Sequence, residues 1–479
     1  MKSNIRSYTQ FAAAGILLSL TSCKSIQYQQ PKTDLPETFR NNSPTEIVQD
    51  TAVVSIAKIP YRKFFTDPVL LSLIEAGIAK NNDLQVAIKQ IEIASLSYKQ
   101  SKWGNVPTVN LNIANASINR PSDNSLNGLT TSQFLGQKYV EDYASTVTIG
   151  WEADIWGKIS GRKEAALASY LQTQEAAKAV QTRLVAQVAQ GYYNLLMLDT
   201  QLDITRKNLE LVDKTLKMIT KQQELGITTS LSVEQQENSR DQILVTIPMI
   251  EQSITIQENA LSILTGKMPA EILRTSKLSE MATPAYQSVG IPSEMLSYRP
   301  DVKSSELAVR RAFYNVKVSK ANMYPALNIT AQGGLNAFNF KNWFEIPGSL
   351  FGTALGSLTQ PLLNGKQLKT QYEQSKIAME QSELNFKQSL LNAVGEVSNA
   401  LANIESADKQ EAITAGLVKR SDKAVTTSSK LFQQDMATYL DVILAQNNKL
   451  QAELSLANIK QQKLNSVVDL YRALGGGWQ

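Results

Sequence analysis

At 479 residues the chain is long enough for two to four soluble domains, yet 43% hydrophobic and 7% aromatic residues are lean for compact cores over that length. It has no histidine and one cysteine, Cys23, which excludes Ser-His-Asp and Cys-His catalysis, histidine-ligated metals, zinc-thiolate clusters and an internal disulfide. The net charge of +5, or +3 once Lys2 and Arg6 leave with the leader described next, is too weak and too dispersed to point to nucleic acid.

Residues 1–22 read as a secretory signal, with Lys2 and Arg6 ahead of an apolar stretch around Phe11 to Leu20 that is too short to span a bilayer. The segment ends Leu20-Thr21-Ser22-Cys23, which resembles the bacterial lipobox and predicts an acylated Cys23 as the first mature residue. A plain signal followed by an incidental cysteine is the alternative. Acyl chains contribute about 0.8 kcal/mol per buried methylene, so several on one residue anchor stably. Lys24 follows the cysteine, with no aspartate to favour the inner membrane, and the outer membrane is the expected location.

Residues 83–113 laid over 301–331 without a gap give seven identities: Asp83/Asp301, Ala94/Ala312, Lys99/Lys317, Ser101/Ser319, Lys102/Lys320, Pro107/Pro325 and Asn110/Asn328. Further on, Leu231/Leu440, Val233/Val442 and Gly266/Gly475 share one offset, and Gly157-Lys158 matches Gly365-Lys366 one residue away from it. The chain therefore reads as an internal duplication. Each half runs helix, proline, alternating strand, loop, alternating strand, Gly-Lys, very long helix, short break, helix.

The first strands fall near 108–118 and 144–154. Val109, Leu111 and Ile113 alternate with Thr108, Asn110 and Asn112; Val147, Ile149 and Trp151 alternate with Thr146, Thr148 and Glu152. In half two Leu327, Ile329 and Ala331 alternate with Asn328, Thr330 and Gln332, and a glycine-rich strand near 349–360 has faces the pattern does not assign. One apolar and one polar face over about ten residues fits a transmembrane β-strand, and equally a soluble sheet.

No proline lies between Pro121 and Pro248 or after Pro361, which permits very long helices over 161–225 and 366–434. At about 1.5 Å per residue these are rods of about 100 Å. Leu195, Leu198, Leu202, Thr205, Leu209, Val212, Leu216 and Ile219 form a heptad seam in the first, and Leu390, Val394, Val397, Leu401 and Ile404 a weaker one in the second. Helices over 230–264 and 301–324 are roughly half as long, so two stacked end to end match one rod. Four strands per chain cannot close in lipid, where open edges are not tolerated. If they are membrane-bound, three copies are the fewest that open a conduit, because eight strands have a filled interior.

These residues resemble the TolC-like outer-membrane efflux factors, in particular the lipidated branch found with tripartite multidrug pumps of the resistance-nodulation-division type. The resemblance rests on Cys23, Asp154-Ile155-Trp156-Gly157-Lys158, Arg299-Pro300-Asp301-Val302 with Glu306, Gln360-Pro361-Leu362-Leu363-Asn364-Gly365, and Leu470-Tyr471-Arg472-Ala473-Leu474-Gly475-Gly476-Gly477-Trp478, taken together and in order. It implies a mainly α fold with a membrane β-barrel: a homotrimeric 12-stranded barrel continuous with a long α-helical periplasmic tunnel. The corresponding division is a signal at 1–22, a lipidated segment at 23–67, repeats at 68–268 and 300–474, an equatorial linker at 269–299 and a tail at 475–479.

The resemblance also implies a passive conduit with no cofactor and no enzymatic activity. Its partners are outer-membrane lipid, a periplasmic adaptor and an inner-membrane transporter, with no nucleic acid. A type I protein-secretion conduit and a coiled-coil lipoprotein without a pore are the alternatives. Pro107, Pro325 and Pro361 mark turns between helix and strand. Trp151, Trp156, Trp343 and Phe344 are candidates for interfacial girdles, with packing between barrel and tunnel the alternative for Trp156.

The breaks at 226–233 and 435–442 reverse the chain at the far end of each rod. By the family pattern they form the periplasmic tip, with adaptor docking at Gly226, Thr229, Ser232 and Thr438 and a gate at Asp441, Asp435 and Tyr439. Ser232 stands where the family commonly has a second aspartate. Crowding of three Asp441 carboxylates is expected to raise their pKa values; the other reading of Asp441 is a cap on the returning helix.

Overall fold

The computed structural model describes residues 27–31, 36, 38–40, 56–284, 292, 295–434 and 436–479. By internal contacts the chain divides into residues 1–33 and 34–479. In the first unit, 27–31 is neither helix nor strand; all that follows concerns the second.

Four strands, β1 (Thr108–Asn119), β2 (Val140–Ala153), β3 (Ala326–Ala337) and β4 (Leu350–Thr359), form one antiparallel sheet in sequence order. Cross-strand partners share a face. Val109, Ile149, Ala331 and Ala354 form one row and Leu111, Val147, Gly333 and Gly352 another, while Asn110, Thr148, Gln332 and Thr353 lie on the opposite face. The register assigns β4 as well: Leu350, Ala354 and Leu358 join the apolar face, and Phe351 and Leu355 fall on the polar one.

Strict alternation in β1 fails after Asn112. Ile113 and Ala114 oppose Ser145 alone, whose hydroxyl donates to the carbonyl of Ile113 (2.6 Å). This bulge shifts the side-chain parity, so that Ile118 returns to the face of Val109. The β1–β2 connection, read from sequence as a loop, contains a ten-residue helix, α3 (Leu126–Leu135). Ser125 caps its start by accepting from Gly128 N, and Gly136 ends it at φ +63°. Its polar Asn, Thr and Ser content hides any apolar period.

Among the described residues the α-helices of ten residues or more are, in chain order, α1 (Pro68–Lys80), α2 (Asn82–Lys102), α3, α4 (Lys158–Glu224), α5 (Ser230–Leu264), α6 (Pro300–Ala321), α7 (Gln367–Gln433) and α8 (Tyr439–Ala473). Rods α4 and α7 have 67 residues each, about 100 Å. Rod α4 starts where it does because both Asp154 carboxylate oxygens accept from its first free amides, Ile159 N and Ser160 N (2.8 Å each), while Gly157 turns the chain in at φ +70°.

Helices α1 and α2 pack on the N-terminal part of α4 and α5 on its C-terminal part, as the Tyr98–Tyr170 stack and the Arg240–Asp213 pair mark. Rod α7 is flanked in the same way by α6 and α8. The seams keep every second layer of the sequence reading and shift the alternate layers by one position. Along the C-terminal seam of α4, Thr205, Val212 and Ile219 are buried as expected, but Asn208 and Thr215 are buried where Leu209 and Leu216 were expected, those leucines and Leu202 being half-buried. Along α7, Leu390, Val397 and Ile404 are buried as expected, with Ala393 and Ala400 in place of Val394 and Leu401, and Ala407 continuing the seam. Small and polar residues occupy every second layer, where a search for leucine and valine overlooks them.

The two halves share one joint. Asn81 Nδ2 donates to the carbonyl of Leu264 (3.0 Å), tying the start of α2 to the end of α5. Arg299 Nη1 donates to the carbonyl of Ala473 (2.8 Å), tying α6 to α8. Beside each bond a left-handed glycine lies against backbone: a Cβ on Gly266 would sit 2.5 Å from Lys80 O, and one on Gly475 2.5 Å from Tyr298 O. Half-length helices thus stack end to end along each rod.

Candidate functional site

At the end of α4 the chain turns through Gly226 (φ +73°), with Ile227 N returning to Gln222 O (2.8 Å). Helix α5 then starts after Thr229. Ser232 is 2% exposed and its hydroxyl meets those of Thr228 (2.9 Å) and Thr229 (3.3 Å), so it lies under the turn, while Gly226 and Thr229 are exposed. In half two Asp441 is exposed and Oδ2 accepts from Thr438 N (2.8 Å) and Thr438 Oγ1 (2.7 Å), a capping box at the start of α8. Within the single chain these hydrogen bonds hold the Asp441 carboxyl below the usual carboxylate range. The capping box matches the reading of Asp441 as a cap on the returning helix, while the crowding of three carboxylates concerns the assembly of copies.

Tyr439 joins the two breaks. Its hydroxyl donates to Gln235 Oε1 (2.7 Å), and its ring packs on Ile219, Phe432 and Val442 with Met218 and Val233. Gln235 drew no notice in the sequence because a lone glutamine carries no signal without its partner. The structure brings Thr438, Asp441 and Tyr439 to one turn and Gly226, Thr229 and Ser232 to the other. Asp435 and Cys23 lie outside the described residues.

The joint carries the densest charge. Buried Arg299 grips Asp301 with both arms of its fork (3.0 and 2.6 Å) and reaches Glu396 on α7 (2.9 Å) as well as the Ala473 carbonyl. Burial alone works against its charge, but the two carboxylates outweigh that and raise its pKa. For Asp301 burial pushes upward, and Arg299 prevails and lowers it. In half one Arg274, inside the expected linker, grips Asp199 (2.7 and 3.0 Å) and also binds Glu258. Asp199, Arg274 and Glu396 had no motif around them to mark their role.

Between sheet and rods, Trp156 Nε1 donates to Pro325 O (2.8 Å) and its ring stacks on Tyr324, while Trp151 Nε1 donates to Asn105 O (3.0 Å). The Trp156 bond ties the β2–α4 turn to the α6–β3 turn, and the Trp151 bond ties the end of β2 to the α2–β1 turn. Trp343 is buried against Tyr143, Phe340 and Phe344 in the β3–β4 connection, so its ring serves that loop. Among the described residues no cluster of three metal-ligating side chains occurs, and no helix is long and apolar enough to cross a membrane.

A sheet with apolar and polar faces, continuous with helical rods about 100 Å long, is the build of a membrane channel with a long extramembrane portion. The family model described as outer membrane efflux protein matches residues 73–267 and 291–476, and the chain belongs to that family. It is 26% identical over 464 residues to the solvent efflux pump outer membrane protein SrpC of Pseudomonas putida, covering 96% of this chain and 97% of the relative.

Two solved structures share the fold. A membrane protein from Pseudomonas aeruginosa superposes with a TM-score of 0.83 at 22% identity, over 94% of this chain and 99% of that one. The open state of the MtrE outer membrane channel of Neisseria gonorrhoeae gives 0.81 at 22% identity, over 95% and 98%. The chain is thus an outer-membrane channel component of an efflux system, with a large periplasmic portion, and its family is one of channels rather than enzymes.

Proposed function

We propose that three copies of this chain assemble into one 12-stranded barrel continuous with a twelve-column tunnel, a passive conduit that an inner-membrane transporter and a periplasmic adaptor load from below. The observation that carries this reading is the sheet itself. Strands β1 and β4 each pair on one side only among the described residues, leaving two open edges that lipid does not tolerate. Edge pairing of β4 with β1 of the next copy removes them.

Exposed apolar stripes at heptad spacing support the same assembly: Val245, Met249, Ile256 and Ile263 on α5, and Ile377, Leu384 and Leu391 on α7. Repeats at 68–268 and 300–474, joined through 269–299, are the units of this design. The anchor is an acylated Cys23. Gly226, Thr229 and Thr438 form the surface that meets the adaptor, with Ser232 buried beneath the turn and shaping it rather than touching the partner, and Asp441, Asp435 and Tyr439 narrow the periplasmic mouth. Purified protein reconstituted in planar bilayers tests the reading: discrete channels of uniform conductance are expected, and bilayers that stay silent at every protein concentration contradict it.

A further inference from the structure

Where β2 meets β3, the β2–α4 turn (154–157) packs on the α6–β3 turn (322–325), with Trp156 stacked on Tyr324 and bonded to the Pro325 carbonyl. A second strand-to-helix turn follows β4 and a second helix-to-strand turn precedes β1. These strands are the two open edges of the sheet, so the second pair of turns does not meet within one chain. The β4–α7 turn (360–366) has seven residues where the β2–α4 turn has four, and it carries Leu362 and Leu363, 86% and 99% exposed. It borders a groove of about 440 Å³ with an apolar wall of Met323, Pro361, Leu362, Leu363 and Leu368. In the α2–β1 turn (103–107), Trp103 is 70% exposed and Val106 48%. Along the adjoining helices Val86, Ile93 and Leu96 are exposed on α2, as Ile377 and Leu384 are on α7. Apolar surface continuous with an open sheet edge marks an interface.

We propose that this groove is the socket for Trp103 of the next copy of the chain, closed over by Leu362 and Leu363. The inference rests on the three-copy assembly above. Pairing β4 with β1 of the next copy brings the two turns to the same end of the strands, because β4 runs into its turn and β1 runs out of the other. Within the chain the indole comes from the strand-to-helix turn and seats on the helix-to-strand turn. Between copies the roles exchange: the helix-to-strand turn supplies the indole and the strand-to-helix turn the apolar seat. The stripes on α2 and α7 continue the contact along the rods.

Disulfide trapping in the full-length protein tests this. Within one chain β1 and β4 are three strand spacings apart, about 14 Å, beyond the reach of a disulfide, so Val106→Cys combined with Leu363→Cys can link only different copies. On oxidation in mild detergent the double variant should give covalently linked chains up to the trimer. Each single variant should give none, and neither should Leu363→Cys combined with Phe134→Cys, which lies on α3 at the far end of the strands. Trp103→Ala should lower the temperature at which the assembly dissociates by several degrees, and Trp103→Phe should restore most of that loss. Native mass spectrometry of the same samples separates the socket from the assembly. A three-chain mass without cross-links, the leucines facing lipid instead, overturns the socket and leaves the assembly standing; a monomer or dimer overturns both. Dissociation of Trp103→Ala at the wild-type temperature likewise overturns the socket.

Discussion

Asp301 and Asp441 show how one residue type takes different roles from its surroundings: Asp301 is held by Arg299, and Asp441 caps a helix. Arg299 is buried, while its partners Asp301 and Glu396 keep 47% and 36% of their side-chain surface in water, so Arg299→Ala should cost about 1.5–3 kcal/mol, the scale of a hydrogen bond to a charged group, seen as a lower thermal midpoint of the detergent-solubilised protein. The pH profile follows from Asp301. A carboxyl with a lower pKa folded than unfolded holds fewer protons in the folded state, so its contribution is complete above about pH 4 and is lost as pH falls below that through the lowered value. In Arg299→Ala this acid-induced step should shrink; an unchanged step between pH 5 and about pH 3 would show that the pair is not its source. Asp441 is exposed, and Asp441→Asn keeps an oxygen to accept from Thr438 while removing the charge. In single-channel recordings it should raise conductance or abolish cation preference if three copies ring the mouth, while Asp203→Asn, on the rod in a pair with Lys207, should do neither. Unchanged recordings leave Asp441 as a cap alone.

At the scale of elements, the stacked joints carry the design. Gly266 and Gly226 have similar left-handed φ values, +67° and +73°, but only Gly266 has backbone at 2.5 Å from a Cβ; Gly226 has open space. Gly226→Ala should therefore cost about 1–2 kcal/mol from the backbone conformation alone. Gly266→Ala and Gly475→Ala should each exceed it, because Lys80 O or Tyr298 O must also move. Equal losses in thermal unfolding would mean that the columns do not depend on this close approach. Much of this level was legible. Proline-free runs gave the rods to within a few residues, and period-two alternation gave three strands, the fourth being placed without its faces. What escaped was whatever depends on two distant segments meeting: the bulge at Ile113, fixed by the pairing with β2; the faces of β4, fixed by β3; the Asn208 and Thr215 layers; and the Tyr439–Gln235 bond. The repeated Gly266/Gly475 was visible as an offset, but its reason lay in carbonyls nearly two hundred residues upstream.

For the whole molecule, one chain presents a sheet with two open edges and rods with exposed heptad stripes, both at odds with a monomer in lipid or water. Two copies give eight strands, whose interior side chains fill; three are the smallest number that leaves a path. The copy number is therefore the quantity on which the account of an outer-membrane conduit turns. Native mass spectrometry in mild detergent reads it directly: a mass of three chains is predicted, persisting at low protein concentration, and a stable monomer or dimer as the sole species would contradict it.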